Sequence, residues 1–297
     1  MIITDYINEK SLSLNVDGFV INTFFSVFPD IKFNDEDILK IINNIKLLNE
    51  KRIIILAIDK IIDENELVKL KRFIKNFIDK VDYLIYSDYS VCSLVNIDSL
   101  NKLIYDSKTL VCSYHEANSI PTKTFISSEI SQKELEDIIN NTKDICINCF
   151  GLHQIMYSKR PLLSLYNNFI NSKVLNQDTL YELKEEIRDD YYKIIENTNG
   201  TFIYTPYYFS LSSLSKELID KVFIFRINSA FINYNDLIYI IDCYNKFTKG
   251  DLLDITSLLK NYFGNNICNG FLKDKLFLLK ADENTKGDKN EWFIMLK

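Results

Sequence analysis

The chain has 297 residues, of which 47% are hydrophobic and 26% are charged. This composition is typical of a globular protein with one large domain or two small ones, and it argues against intrinsic disorder. The net charge of −6 argues against an extended nucleic-acid-binding surface, because such binding depends on a basic stripe that releases counterions from phosphates.

The start of the chain predicts a cytoplasmic protein. Asp5 interrupts the sequence before the apolar segment of a secretory signal could form. No uncharged apolar run reaches the roughly 18 residues of a transmembrane helix, so we expect no membrane association. The six cysteines are then expected to be free thiols in a reducing compartment.

Eight short apolar runs rich in β-branched residues predict strands that are buried on both faces. Longer amphipathic runs separate most of them, which is typical of βα units and a parallel sheet. The predicted strands are residues 17–21, 53–58, 82–86, 109–113, 123–127, 144–150, 202–205 and 222–227. The sequence therefore predicts an α/β protein with a TIM-type (β/α)8-like barrel.

Four amphipathic runs begin at residues that cap helices. Asn34 and Asp63 precede the predicted helices 35–48 and 64–80, and a Ser131–Glu134 capping box opens a third. Residues 234–247 repeat the pattern. Each run has one apolar stripe, so each helix is expected to cover the sheet.

The barrel is expected to be irregular. Between residues 113 and 123 there is almost no room for a crossover helix. We assign the barrel to residues 1–250, with an insertion at 152–200 that ends in a β-hairpin around an Asn199-Gly200 turn. Residues 251–297 are predicted to form a small C-terminal extension, with a second hairpin around 281–290.

Active sites of such barrels lie at the C-terminal ends of the strands, and this rule selects a short set of residues. The polar residues and the glycine that follow the predicted strands are Asn22, Asp59, Asp88, His115, Glu116, Ser128, Glu129, Gly151, His153, Thr205 and Asn228.

His115 and Glu129 follow neighbouring predicted strands and could form an acid–base pair or provide two metal ligands. Two other interpretations stay open. His115 could instead hydrogen-bond the short loop at 116–122, and Glu129 could favour the positive end of the helix capped by Ser131.

The segment Ser158-Lys159-Arg160 could bind an anion, because an arginine can hold a carboxylate or phosphate with two hydrogen bonds. A surface ion pair explains it equally well. His153 could be a ligand, and an exposed loop histidine is the favoured alternative.

Two further patterns favour structural roles. Cys146 and Cys149 have redox or metal-site spacing, but residues three apart on a strand point to opposite faces. The aromatic run 204–209 could stack bases, yet it lacks basic neighbours, so packing is the favoured role.

The segment from Asn148 to Leu163 resembles the signature region of peptidase family U32, the collagenase-like peptidases. In that family a strand ends in Phe-Gly, and Ser-x-Arg follows seven residues later. Three other stretches are similar to short members of the family. They are residues 17–27, residues 115–118 with 127–130, and residues 269–272.

The resemblance implies a barrel fold and descent from an enzyme. Family members include collagenase-type proteases, and iron–sulfur proteins that hydroxylate RNA bases or a quinone precursor without oxygen. The iron–sulfur members carry cysteines just after Ser-x-Arg, where this chain has Pro161, so we expect no family-type cluster. The residues that carry over are Glu129, Gly151, Ser158, Arg160 and His115.

Two hypotheses follow. In the first, the protein is a hydrolase of the peptidase U32 type, or a diverged relative that acts on RNA. Glu129 and His115 would move protons, and Arg160 with Ser158 would orient the substrate. In the second, the protein is a non-catalytic subunit that pairs with an active family paralogue. Any metal, and the choice between peptide and RNA as substrate, stay open at this point.

Overall fold

A computed structural model describes residues 1–29, 31–186, 190–211, 213–252, 254–272 and 294–296. Its strands are β1 (Ile2–Asp5), β2 (Gly18–Asn22), β3 (Ile53–Ile58), β4 (Tyr83–Tyr86), β5 (Leu103–Tyr105), β6 (Lys123–Phe125), β7 (Ile145–Gly151), β8 (Gln154–Ser158), β9 (Tyr181–Glu185), β10 (Tyr191–Asn197), β11 (Gly200–Tyr204), β12 (Tyr208–Ser210), β13 (Val222–Ile227), β14 (Ile267–Cys268) and β15 (Ile294–Leu296). Its helices are α1 (Asp35–Leu48), α2 (Leu67–Phe77), α3 (Ser90–Leu94), α4 (Tyr114–Ser119), α5 (Gln132–Asn141), α6 (Leu162–Phe169), α7 (Lys216–Lys221), α8 (Tyr234–Lys249) and α9 (Ile255–Phe263).

Eight parallel strands close into a barrel, which confirms the predicted TIM-type fold. Strands β1 to β7 pair in chain order, and β13 closes the ring by pairing with both β1 and β7. Helices lie between the strands along the chain. None of the described helices combines the length and apolar character needed to cross a lipid bilayer.

The barrel interior is filled by a small apolar layer. Its members are at most 1% exposed: Ile3, Val20, Ile55, Ala57, Ile85, Ile104, Phe125, Cys146 and Ile224. A much larger core lies outside the strands and includes the inward faces of α1, α2, α5 and α8. Because side chains alternate along a strand, both faces of each strand are apolar at this level, as the sequence predicted.

Two of the predicted barrel strands were wrong. Residues 109–113 form a loop in which Val111 packs into the outer core, and the strand lies earlier, at β5. Residues 202–205 pair antiparallel in a separate sheet. The missing barrel strand is β1, at the start of the chain. Because β5 ends at Tyr105, the chain has room for α4, so the missing crossover helix was also a wrong prediction.

Three of the four predicted helix starts are confirmed. Asn34 accepts a hydrogen bond from the Asp37 amide, Ser131 and Glu134 form the capping box, and Asn233 caps α8. After Asp63 the chain makes one 3₁₀ turn before α2 begins at Leu67. Each cap satisfies backbone N–H groups that a helix leaves without partners at its first turn.

Strands β8, β9 and β10 of the insertion join β11 and the C-terminal β15 in a five-stranded antiparallel sheet with strand order β15-β9-β10-β11-β8. The predicted hairpin is present as β10 and β11, with Thr198 and Asn199 in the turn and Gly200 opening β11. The predicted hairpin around 281–290 lies outside the described residues. The domain boundaries at 250 and 251, and the limits 152–200 of the insertion, stay predictions.

Gly151 ends β7 at the point where the chain leaves the barrel for this sheet. Its φ is +128°, and a Cβ built there would lie 2.6 Å from the carbonyl oxygen of Asn228. Both the conformation and the close approach therefore require glycine.

We predict that Gly151→Ala lowers the free energy of unfolding by about 3 kcal/mol or more, because backbone strain and a backbone clash act together. Gly250→Ala is the control. Gly250 also has a positive φ, but its added Cβ would meet only the flexible side chain of Lys216, 3.4 Å away, so a loss of about 1 kcal/mol is expected. Urea unfolding measures both, and equal losses would contradict the account.

Candidate active site

A polar layer lies directly above the apolar layer of the barrel. Seven polar residues stand two positions after an inner apolar residue, so the alternation of the strands turns them to the same interior. They are Asp5, Asn22, Asp59, Asp106, Ser127, Asn148 and Arg226. This is the C-terminal end of the strands, where barrel enzymes carry their active sites.

A buried ion-pair network connects this layer. Arg226 binds Asp5 at 3.1 Å, and its guanidinium lies 3.7 Å from Asp106. The Lys108 Nζ lies 2.7 Å from Asp106 and 3.0 Å from Asp59. The side chains of these three aspartates and of Arg226 are at most 4% exposed. Asp106 is therefore the carboxylate shared by both cations.

Each acid has further partners. Asp5 accepts hydrogen bonds from the Asn22 amide and from both the backbone and the hydroxyl of Ser229. Asp59 accepts one from the Val27 backbone at 3.0 Å. Burial alone would raise the pKa of Asp59, but the charges of Lys108 and Arg226, together with that backbone bond, hold it below its ordinary value.

Lys108 reaches the network through an unusual backbone conformation. Its φ is +67°, a region that non-glycine residues adopt at a cost of roughly 1–3 kcal/mol. Its backbone N–H donates to the Asp106 carboxylate at 3.1 Å, which fixes the turn between the two residues. Burial acts to lower the pKa of Lys108, but Asp106 and Asp59 outweigh it, so the pKa is raised and the ammonium stays charged.

A cavity of about 50 Å³ opens on this network. Its polar lining consists of Asp59, Asp106, Lys108, Ser128, Asn148, His153, Gln154, Arg226 and Asn228. Its apolar lining consists of Val27, Phe28, Pro29, Leu152 and Tyr204. The volume holds a few water molecules or one small polar group.

Two polar atoms of the lining residues are buried without a hydrogen-bond partner among the described residues. They are Nε2 of His153 and Nε of Arg226. Buried polar atoms in folded proteins are nearly always hydrogen-bonded, and an unpartnered one calls for an explanation such as a catalytic role or an ordered water. Both atoms belong to residues that line the cavity, and both are left with unused hydrogen-bonding capacity.

His153 lies in the loop between β7 and β8, as the favoured interpretation had it, but it is partly buried rather than exposed. Its backbone exchanges hydrogen bonds with Thr205, at 3.1 Å and 2.9 Å. Its ring packs on Phe209 with a centroid distance of 4.3 Å. Burial lowers the pKa of His153 to about 4, and the nearby charge of Asp106 opposes this only in part. The imidazole is therefore neutral at pH 7.

None of the four residues predicted to be catalytic belongs to the lining of this cavity. His115 is exposed on α4, with its ring 4.1 Å from that of Tyr114. Glu129 is exposed in the loop after β6, beside Ser128 of the lining. Ser158 ends β8, where its hydroxyl accepts the Arg160 N–H at 3.2 Å, and Arg160 is exposed. Within the described residues, no contact between side chains joins these four, and their catalytic roles stay predictions.

The structure also bears on the interpretations of Lys159, of the Cys146 and Cys149 pair, and of metal binding. Lys159 forms an ion pair with Asp63, both partly exposed. Cys146 lies in the inner layer and Cys149 in the outer core, so the two thiols are on opposite faces as predicted. Within the described ranges, no three His, Cys, Asp or Glu side chains are placed to hold a metal ion together.

We predict that His153 makes stability depend on pH. The unfolded chain binds a proton at His153 near pH 6.5, and the folded chain does so only near pH 4. The unfolded state therefore holds more protons in this window, and stability falls as the pH is lowered through it, by up to about 3 kcal/mol. In urea unfolding from pH 4 to 7, His153→Gln should remove this part of the dependence. His115→Gln is the matched control, and the same pH dependence in His153→Gln as in the wild type would refute the assignment.

Comparisons with known proteins do not assign a role to any residue of this cavity. No protein-family model matches the chain, and no curated protein matches it. A solved structure of the U32 peptidase Mk0906 matches with a TM-score of 0.43 and 9% sequence identity. The alignment covers 51% of this chain and 69% of that one.

Proposed function

We propose that the protein is an enzyme that hydrolyses an amide bond of a peptide in the cavity at the barrel mouth. One observation carries the proposal. The polar cavity at the strand ends is lined by neutral His153 and by Arg226. Each of these residues has one buried side-chain nitrogen without a hydrogen-bond partner among the described residues. The resemblance of residues 148–163 to the U32 signature region points in the same direction.

The charges of the lining favour a neutral substrate group. Two carboxylates, Asp59 and Asp106, face two cations, Lys108 and Arg226. Asp5 adds a third buried carboxylate directly behind Arg226. A phosphodiester would meet no excess of positive charge here, whereas a neutral amide meets unused hydrogen-bonding nitrogens. This supports a peptide over RNA at the reacting position.

The chemistry needs one base and one hydrogen-bond donor. Nε2 of neutral His153 would accept a proton from water as the water oxygen bonds to the amide carbon. The electron pair of the carbonyl moves to its oxygen, which the Nε–H of Arg226 would stabilise. His153 then returns the proton to the leaving nitrogen as the C–N bond breaks, which yields a carboxylic acid and an amine.

The ion-pair network serves this step by holding Arg226 in place. Its two terminal nitrogens face Asp5 and Asp106, so its Nε is the part left for the substrate. Burial acts to lower the pKa of Arg226, but Asp5, Asp106 and Asp59 raise it above its ordinary value. The donor is therefore always protonated and pre-oriented, which is what a group that stabilises an oxyanion requires.

The test is cleavage of a mixed peptide library, with new amino termini counted by mass spectrometry. We expect His153→Gln to slow cleavage by about 100-fold or more, which is the usual contribution of a general base. His115→Gln should leave it unchanged. The wild-type rate should fall on acidification with an apparent pKa near 4, because protonated His153 cannot accept a proton. No cleavage by the wild type, or equal cleavage by His153→Gln, would overturn the proposal.

A second candidate is a subunit that pairs with an active paralogue. The exposed apolar surface at α6 favours it, since Phe169 is 83% exposed, Val174 65% and Leu165 49%. Exposed apolar patches of this kind mark interaction surfaces. This role does not need His153, so the same library experiment separates the two candidates.

A further inference from the structure

A second cavity is lined in part by the same chain segment as the first. Residues 27–29 of this loop line the candidate active site, and Phe24, Phe25 and Lys32 line the second cavity. The second cavity has a volume of about 270 Å³, which is enough for one amino-acid side chain with part of its backbone. Neighbouring residues of one chain segment therefore contribute to the linings of both cavities.

The second cavity combines an apolar interior with positive charge. Phe25 and Phe73 are at most 4% exposed, and Phe24 is 46% exposed. Three cations, Lys32, Lys69 and Arg72, share the lining with a single acid, Asp35. The formal charge of the lining is thus +2, in contrast with the balanced lining of the active-site cavity.

Two of these cations are available to a ligand. Lys69 and Arg72 stand three residues apart on α2, so their side chains share one helix face. Neither forms an ion pair with any carboxylate that the structure describes. Lys69 instead lies over the Phe24 ring at 3.8 Å, which keeps its ammonium at the cavity.

Lys32 lines the second cavity, and the active-site residue Asp59 is one of the charges that act on its pKa. Burial and the neighbouring charge of Lys60 lower the pKa of Lys32, and Asp178 and Asp59 act in the opposite direction. Asp59 is a lining residue of the active-site cavity. An anionic ligand beside Lys32 would replace part of the hydration that this half-buried ammonium has lost.

From these features we infer that the second cavity is a specificity subsite for an acidic residue of the peptide substrate. Arg72 and Lys69 would bind the carboxylate, and the phenylalanine rings would pack against its alkyl stem. This inference rests on the proposed peptide hydrolysis. It adds a substrate preference that the charge-balanced active-site cavity cannot supply.

The test measures binding rather than cleavage, so that it can fail separately from the proposed function. The probes are two blocked tetrapeptides, Ac-Ala-Glu-Phe-Ala-NH2 and Ac-Ala-Gln-Phe-Ala-NH2, titrated into the His153→Gln protein by NMR. We expect the Glu peptide to bind about tenfold more tightly, with the preference weakening as salt is added. The double variant Lys69→Glu/Arg72→Glu should lose the preference.

Lys71→Glu is the matched control, because it changes one charge on the same helix at an exposed residue outside the cavity lining. It should keep the preference. Equal binding of both peptides, no binding of either, or a preference that survives Lys69→Glu/Arg72→Glu would each overturn the subsite. If the subsite fails while the library is still cleaved by the wild type, the hydrolase proposal stands without it.

Discussion

The carboxylate of Asp106 is the point on which the polar interior depends. It lies 2.7 Å from Lys108 and 3.7 Å from Arg226; Asp106 and Arg226 are buried, and the Lys108 side chain is 24% exposed. Burying a charge costs several kcal/mol unless partners compensate for the lost hydration. Asp106 compensates both cations at once, while Asp5 and Asp59 complete the balance on either side. The network thereby fixes the ends of β1, β3, β5 and β13 relative to one another.

The inserted sheet completes the site that the barrel begins. Part of the cavity wall comes from His153, between β7 and β8, from Gln154, at the start of β8, and from Tyr204, at the end of β11. The Asn199 turn anchors this sheet to the barrel loop, because its side chain donates to the Ser26 carbonyl at 2.9 Å. Its own carbonyl accepts the Tyr157 hydroxyl at 3.0 Å. The insertion is therefore both the cover of the barrel mouth and the source of the proposed base.

Much of the fold could be predicted from the sequence, because strands buried on both faces leave long apolar runs. The two errors concern strands of three and four residues, β5 and β1, whose runs are too short to stand out. Because of these two errors, Asp5 and Asp106 were not predicted to be site residues. Asp5 and Asp106 stand two residues after Ile3 and Ile104, and a correct strand assignment would have turned both inward.

Other parts of the site could not be predicted. Arg226 lies within a predicted strand, and its inward direction follows only once Ile224 is known to face the interior. Lys108 reaches the cavity through a positive φ that no local pattern indicates. The rule of polar strand ends did select Asp59, Ser128, His153 and Asn228, which line the cavity. It also selected His115, because residues 109–113 were wrongly predicted to form a strand, and Glu129, because a sequence does not show which way a loop side chain points.

The most direct test of the account is the pKa of the His153 imidazole, measured by two-dimensional ¹H–¹⁵N NMR during a pH titration. The chain contains only two histidines, so His153→Gln assigns the signals at once and the exposed His115 supplies the comparison. A pKa of about 4 for His153 would show the buried, neutral imidazole that the proposed chemistry requires. Titration of His153 near its ordinary value of 6.5 would mean that the ring is solvated, and it would contradict the buried site at the barrel mouth.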